Sequence, residues 1–406
     1  MTEQVETQKS DGEQELSAAL MAVWGNPEMS AEPQRLHERL REQGDTVRVG
    51  PLVMLNTRAA VEQAVSRPDA FSSQMASSRL GNKRPLIPMQ IDPPGHRHYR
   101  KLLDPLFSPR QMGWLEPHLI SLVSELIDSA VERGACDYAD EFATPFVCRA
   151  LLMLLGLPEG DLDELVRMKN GVVHPPRQDP AESERVQRAA GADLYRYFEN
   201  ALAERANRSN VGLLSHLLTA DMNGRRLTRD EIVDICYLLV LAGLDPVADT
   251  LTLCTVFLAR NPAHRKQLVS APDLTAAAVE ELLRWESPVP GVSRLVTQPT
   301  EIAGCPLDVG DLIFVGYGAA NTDPGPLPDA TTVRFDRESN HHLAFGTGIH
   351  RCLGAQLARL EMGVALREWH RRIPDYAIAD GTELQYAPGL RSVVHLPIVF
   401  TPAAPR

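Results

Sequence analysis

The chain has 406 residues, 44% of them hydrophobic, enough to bury a large core. Its formal net charge of −12 excludes nucleic-acid binding as a first reading, because contact with phosphates needs a basic face. Six cysteines, at 136, 148, 236, 254, 305 and 352, include no C-x-x-C pair, so they form no disulfide framework and fit a reducing compartment.

The N-terminus, MTEQVETQKSDGEQE, is polar and lacks the apolar core of a secretory signal. Residues 1–15 are expected to be disordered. Leu36 to Gln43 reads as a helix ended by Gly44, and 46–55 as two short strands around Gly50-Pro51. Helical patterns then dominate as far as about residue 290. The clearest spans 228–260, where Thr228 and Glu231 have capping-box spacing and Asn261-Pro262 ends the run. A second strong helix runs from Leu353 to about Trp369, with Leu353, Leu357, Leu360 and Val364 on one face. Short strand-like pieces come late, at Val292–Thr297, Leu312–Val315 and Leu396–Phe400. The longest apolar run, Ile235 to Leu244, is too short to span a bilayer. A mainly α fold with a minor β region follows, with a cytoplasmic location and no membrane anchor expected.

The segment HLAFGTGIHRCLG, His342 to Gly354, carries the chemistry. Cys352 stands just before the predicted helix, where unpaired N–H groups favour a thiolate. Gly346, Gly348 and Gly354 permit tight turns and let a flat ligand approach the backbone, and Phe345 can cover one side of it. Taken singly, Cys352 also reads as a buried structural cysteine, or as a nucleophile with His350 as base. The composite pattern F-x-x-G-x-H-x-C-x-G followed by A-x-L-A-R-x-E decides otherwise. It resembles the haem-binding loop of the cytochromes P450. The resemblance implies haem b (iron protoporphyrin IX), Cys352 as the axial thiolate and sole metal ligand, and His350 as a donor to a haem propionate.

Further segments agree in chain order. Glu281-Leu-Leu-Arg284 resembles the family E-x-x-R motif, a buried pair that locks the scaffold behind the haem loop. Val333-Arg-Phe-Asp336 resembles the region that closes this network. Arg294, in GVSRLVT, resembles the arginine that binds a propionate. Asp92-Pro-Pro-Gly-His-Arg-His-Tyr-Arg100 resembles D-P-P-E-H-x-x-x-R, with His96 and Arg100 one helical turn apart and within reach of propionate oxygens. Gly95 replaces the usual Glu. The resemblance covers roughly residues 30–400, and so implies one P450 domain, 16–406, of triangular-prism architecture.

Ala242-Gly-Leu-Asp-Pro-Val247 resembles the family's oxygen-binding groove, in which an acid and a threonine deliver protons. Asp245 matches the acid, but Pro246 stands at the threonine position. Proline has neither hydroxyl nor N–H, so it passes no proton, and it is expected to kink the helix and push Asp245 from α geometry. An altered relay through Asp245 and water is one reading. Substrate-assisted or peroxide-driven oxidation, and a non-oxygenase recruiting module, are the alternatives.

The family analogy lines the substrate pocket with Leu86, Ile87, Leu241, Ala242, Val289, Val292 and Val393, which implies an apolar small molecule. Lys83 and Arg84 are candidates to meet a substrate carboxylate. The implied activity is monooxygenation, hydroxylation or epoxidation with O2. Electrons would come from a ferredoxin and ferredoxin reductase that dock on basic residues Arg97, Arg100, Lys101, Arg110, Arg351 and Arg359.

Overall fold

The computed structural model describes residues 25–74, 80–176, 179–205, 212–387 and 389–405. The expected disordered segment, 1–15, lies outside the described residues. The principal elements in chain order begin with helix α1 (Pro33–Gln43) and strands β1 (Thr46–Val49), β2 (Leu52–Leu55) and β3 (Phe71–Ser72). Among the helices that follow are α2 (Gly95–Leu103), α3 (Thr144–Leu155), α4 (Leu162–Val173), α5 (Pro180–Arg205) and α6 (Arg229–Arg260). The last part holds α7 (Thr275–Glu286), β4 (Val292–Val296), β5 (Leu312–Val315) and α8 (Ala355–Arg372). Two compact units result. One takes the described parts of 1–77, 252–352 and 380–396, and the other those of 78–251, 353–379 and 397–406.

The first unit is organised by a five-stranded sheet in the order β1-β2-β5-β4-β3. Strands β2 and β5 pair in parallel and are wholly apolar, because both faces of the sheet are covered. On one face Val53, Leu55, Ile313 and Val315 pack with Ala60, Val61 and Ala64. On the other, Leu52, Met54, Leu312 and Phe314 pack with Met29 and Leu36. Strand β4 is thereby held with Arg294 opposite Ile313.

The second unit is mostly helical. Trp369 sits edge-on to Tyr138 and Phe142, with ring centroids 4.8 and 4.9 Å away, at the centre of its aromatic core. Helices α4 and α5 approach so closely that a Cβ at Gly171 would lie 2.6 Å from that of Ala190. The expected capping box closes the start of α6: Thr228 Oγ1 accepts from the Glu231 N–H at 3.1 Å, and Glu231 accepts from the Thr228 N–H at 2.7 Å. Among the described residues no helix is long and apolar enough to cross a membrane.

The expected elements agree to within a few residues; α8, for example, starts at Ala355 rather than Leu353. The very short strands at Ala135–Asp137, Thr300–Ile302 and Cys305–Leu307 had no readable pattern, because pairing with distant or adjacent strands defines them. One expectation is corrected: Asp245 is not pushed out of α geometry, since α6 is continuous through Asp245 and Pro246. The buried helix on either side outweighs the local proline penalty of roughly 3 kcal/mol.

Candidate active site

In the first unit the loop before Cys352 folds on itself. Gly346 and Gly348 take φ of 65° and 71°, where a side chain would be strained. The Cys352 N–H donates to the Phe345 carbonyl at 2.8 Å, and the Gly346 N–H to that of Leu343 at 2.8 Å. Asn321 Oδ1 accepts from the Leu343 N–H at 2.6 Å and anchors the loop to the sheet unit. Cys352 is exposed, whereas Cys136, Cys148, Cys236 and Cys254 are buried. Burial pushes the Cys136 and Cys148 thiols up to about 12, so they stay protonated. With α8 starting at Ala355, Cys352 stands ahead of Gly354, the N-cap, rather than on the helix start itself. A Cβ on Gly354 would meet nothing within 4 Å among the described residues, so the protein's own packing does not require glycine there.

Behind this loop lies the Glu281–Arg284 pair, both fully buried. Arg284 donates to both Glu281 oxygens at 2.8 Å and to the carbonyls of Asn321, Ala330 and Thr332 at 2.9, 2.7 and 2.8 Å. Glu281 also accepts from the Arg334 N–H, Arg337 Nε and Asn340 Nδ2 at 2.8, 2.9 and 3.0 Å. Burial opposes its ionisation, but the guanidinium groups of Arg284 and Arg337 outweigh it and hold the carboxyl below its ordinary value. The network thus ties α7 to the segment 330–340.

Arg294 is half-buried on β4, and its Nη1 donates to the Ser293 carbonyl at 2.8 Å. His350 Nε2 lies 2.9 Å from Ser73 Oγ, a contact the sequence did not suggest. Val289 and Val292 are half-buried and Val393 is buried.

The second unit carries His96 and Arg100 one turn apart on α2, as expected. Burial, then the neighbouring Arg100, push the buried His96 imidazole below its usual value, which favours the neutral ring. Arg100 Nε pairs with Asp104 at 2.8 Å. Leu86, Ile87 and Leu241 are buried, and Ala242 is exposed. Arg84 is engaged by Asp234 at 2.9 Å and Asp230 at 3.4 Å, which removes it as a partner for a substrate carboxylate. Lys83 instead stacks on the Tyr195 ring at 5.1 Å.

Helix α6 is buried along nearly its whole length, but Leu239, Ala242, Gly243 and Pro246 are exposed or half-exposed. Their spacing of three, one and three residues makes them a single helical face. Because Pro246 has no N–H, the Ala242 carbonyl in this stripe lacks its helical donor. The Thr250 hydroxyl donates to the Pro246 carbonyl and is committed there.

Asp245 faces elsewhere. Its Oδ1 is bound by Lys169 Nζ, itself buried, and its Oδ2 lies 3.3 Å from His174 Nε2. Burial opposes ionisation of Asp245, but His174 and Lys169 prevail and the carboxyl titrates below its ordinary value. Sequence reasoning missed both partners. Lys169 lies 76 residues before Asp245, and nothing local marks a lysine in α4 as buried.

In the first unit the exposed Cys352 thiol, at the end of a loop folded back on its own carbonyls, suits a thiolate ligand; in the second, α6 presents a stripe of apolar residues against which a flat group could lie. Arg294 and His350 of the first unit, and His96 and Arg100 of the second, are donors of the kind that bind carboxylates. The family profile "Cytochrome P450" matches residues 175–369. A probable cytochrome P450 127A1 of Sinorhizobium fredii is 37% identical over 317 residues, 77% of this chain and 75% of that protein. A steroid C26-monooxygenase of Mycolicibacterium smegmatis is 31% identical over 87% of this chain and 89% of that protein. Among solved structures, the cytochrome P450 PksS of the Bacillus subtilis bacillaene polyketide synthase aligns with a TM-score of 0.85 and 26% identity over 93% of this chain and 98% of that one. CYP109E1 of Bacillus megaterium in complex with testosterone gives 0.84 and 26% over 92% and 99%. The chain belongs to the cytochrome P450 family: it is a haem b monooxygenase of the bacterial type.

Proposed function

We propose that this enzyme inserts one oxygen atom from O2 into an apolar small molecule, by hydroxylation or epoxidation, with electrons from a separate ferredoxin and ferredoxin reductase. In this reading Cys352 would supply the thiolate ligand, His96, Arg100, Arg294 and His350 would hold the propionates, Phe345 and Gly354 would lie beside the ring, and 16–406 would act as one catalytic domain. Haem with a thiolate ligand supplies the oxygen chemistry, the sulfur pushing electron density that favours O–O cleavage.

The observation that carries the reading is the exposed face of α6. Leu239, Ala242, Gly243 and Pro246 give the otherwise buried middle of this helix an open apolar stripe, and Pro246 leaves no hydroxyl in it. Asp245 is then the acid that supplies protons, working through water rather than through a threonine. Apolar residues at Leu86, Ile87, Leu241, Val289, Val292 and Val393 favour a substrate of large apolar area. Relatives named as a steroid C26-monooxygenase and a vitamin D(3) 25-hydroxylase make sterol-like molecules the first set to screen. Arg97, Lys101, Arg110 and Arg351 are exposed, and an acidic ferredoxin suits them.

The test is the carbon monoxide difference spectrum of the dithionite-reduced protein, beside Cys352→His. A thiolate-type band in the parent, replaced by a neutral-ligand band in the variant, is the expected result. A parent spectrum without the thiolate band would overturn the assignment of Cys352.

A further inference from the structure

Asp245 is 5% exposed, and its neighbour Pro246 carries no hydroxyl to share in proton transfer. Its protons must therefore arrive through whatever touches its own carboxyl. Two groups do, both from the C-terminal part of α4. Lys169 holds Oδ1 and is itself 5% exposed, so it fixes the carboxylate but has little contact with water from which to reload. His174 caps the helix, and its backbone N–H donates to the Asn170 carbonyl at 2.8 Å. Its side chain is 34% exposed, yet Nε2 stands 3.3 Å from Oδ2, the oxygen that accepts no aligned hydrogen bond in this arrangement.

The other titratable groups near this cluster do not lead outward. Cys148 on α3, which feels Lys169, Asp245 and Glu361, is buried and its thiol is pushed up to about 12. Glu361 on α8 is buried, and burial alone raises its carboxyl well above its ordinary value. From α5 the contact is an uncharged one, Gln187 Nε2 donating to the Val172 carbonyl at 2.9 Å. Among the described residues, then, one titratable side chain both touches Asp245 and meets solvent.

We infer that His174 is the solvent port of the proton path, with Lys169 as the positioning residue that keeps Asp245 turned toward it. The inference rests on the reading of Asp245 as the proton-supplying acid. In each transfer the Nε2–H bond of the imidazolium breaks, an O–H bond forms at Oδ2 of Asp245, and the neutral ring takes a proton from solvent hydronium, releasing water.

The experiment uses the haem-loaded enzyme with a ferredoxin system and a turned-over substrate. It reads product formed per reductant consumed, across the pH range in which imidazole titrates, for the parent, His174→Gln, Lys169→Met and Asp245→Asn. In the parent this ratio falls as pH rises. In His174→Gln it falls about tenfold at the acid end and loses its pH dependence. The loss stays below the hundredfold of a missing general acid because water still reaches the port. A second readout is independent of turnover: thermal unfolding midpoints of His174→Gln, Asp245→Asn and the double variant are non-additive if the two side chains are in contact. A parent-like ratio and pH profile in His174→Gln, with Asp245→Asn impaired, overturns the port. Parent-like behaviour in Asp245→Asn overturns the reading beneath it.

Discussion

Replacing Glu281 by Gln is the sharpest test of what holds the haem loop in place. The carboxylate accepts two bonds from Arg284 and one each from the Arg334 N–H, Arg337 Nε and Asn340 Nδ2. Glutamine has the same shape but no charge, and one of its two oxygens becomes an NH2 donor. Oε1 faces three donors and Oε2 faces two, so in either orientation at least two bonds become donor–donor contacts. Arg284 is fully buried, and its remaining partners, the carbonyls of Asn321, Ala330 and Thr332, do not neutralise it. Breaking a buried pair in this way costs about 3–5 kcal/mol. Urea unfolding of the haem-loaded protein, followed by circular dichroism and by haem absorbance, measures it. The pH dependence has a definite sign. The carboxyl is held below its ordinary value, so its contribution is complete above the unfolded glutamate's titration and is lost as pH falls through the lower folded value. Glu281→Gln should therefore destabilise the protein at neutral pH and flatten its acid limb. A loss below about 1 kcal/mol, the range of a solvated pair, would refute the argument.

Two further outcomes are expected. Gly191→Ala places a Cβ 2.3 Å from the Gly81 carbonyl oxygen, and overpacking of this kind costs about 1–3 kcal/mol; it should lower the melting temperature and weaken binding of apolar ligands, read by thermal unfolding and by substrate titration. Electron transfer from an acidic ferredoxin should slow as salt rises, with Arg97→Gln and Arg110→Gln reducing that dependence; stopped-flow reduction at several ionic strengths decides it, and a salt-independent rate would count against an electrostatic dock.

Much of the scaffold was legible because its signals are local. The capping box at Thr228 and Glu231, Gly44 after α1, and the apolar runs of β2 and β5 each name an element from within a few residues. The E-x-x-R pair was legible as a motif, and burial of both side chains is what the resemblance implies. What escaped depends on distant partners. Neither Ser73 beside His350 nor Lys169 and His174 around Asp245 carries a mark in its own neighbourhood. The departure from α geometry expected at Asp245 shows the converse, a local rule overridden because the helix is packed along nearly its whole length.

Pro246 nevertheless alters the groove chemically. It offers no hydroxyl donor and also withdraws the helical donor of the Ala242 carbonyl, so the exposed stripe gains an acceptor where a threonine would offer a donor. Thr250 does not compensate, since its hydroxyl is spent on the Pro246 carbonyl. A groove that presents an acceptor is completed by a ligand that donates, either an ordered water or a hydroxyl of the substrate. Substrates carrying a hydroxyl near the oxidised carbon should therefore convert more of the consumed reductant into product than their deoxy analogues. Pro246→Thr restores both the hydroxyl and the backbone donor, so it should raise the yield per reductant for the deoxy substrate and erase the difference between the two. If the variant left the yield of both unchanged, the donor missing from the groove would not be what limits proton delivery in this enzyme.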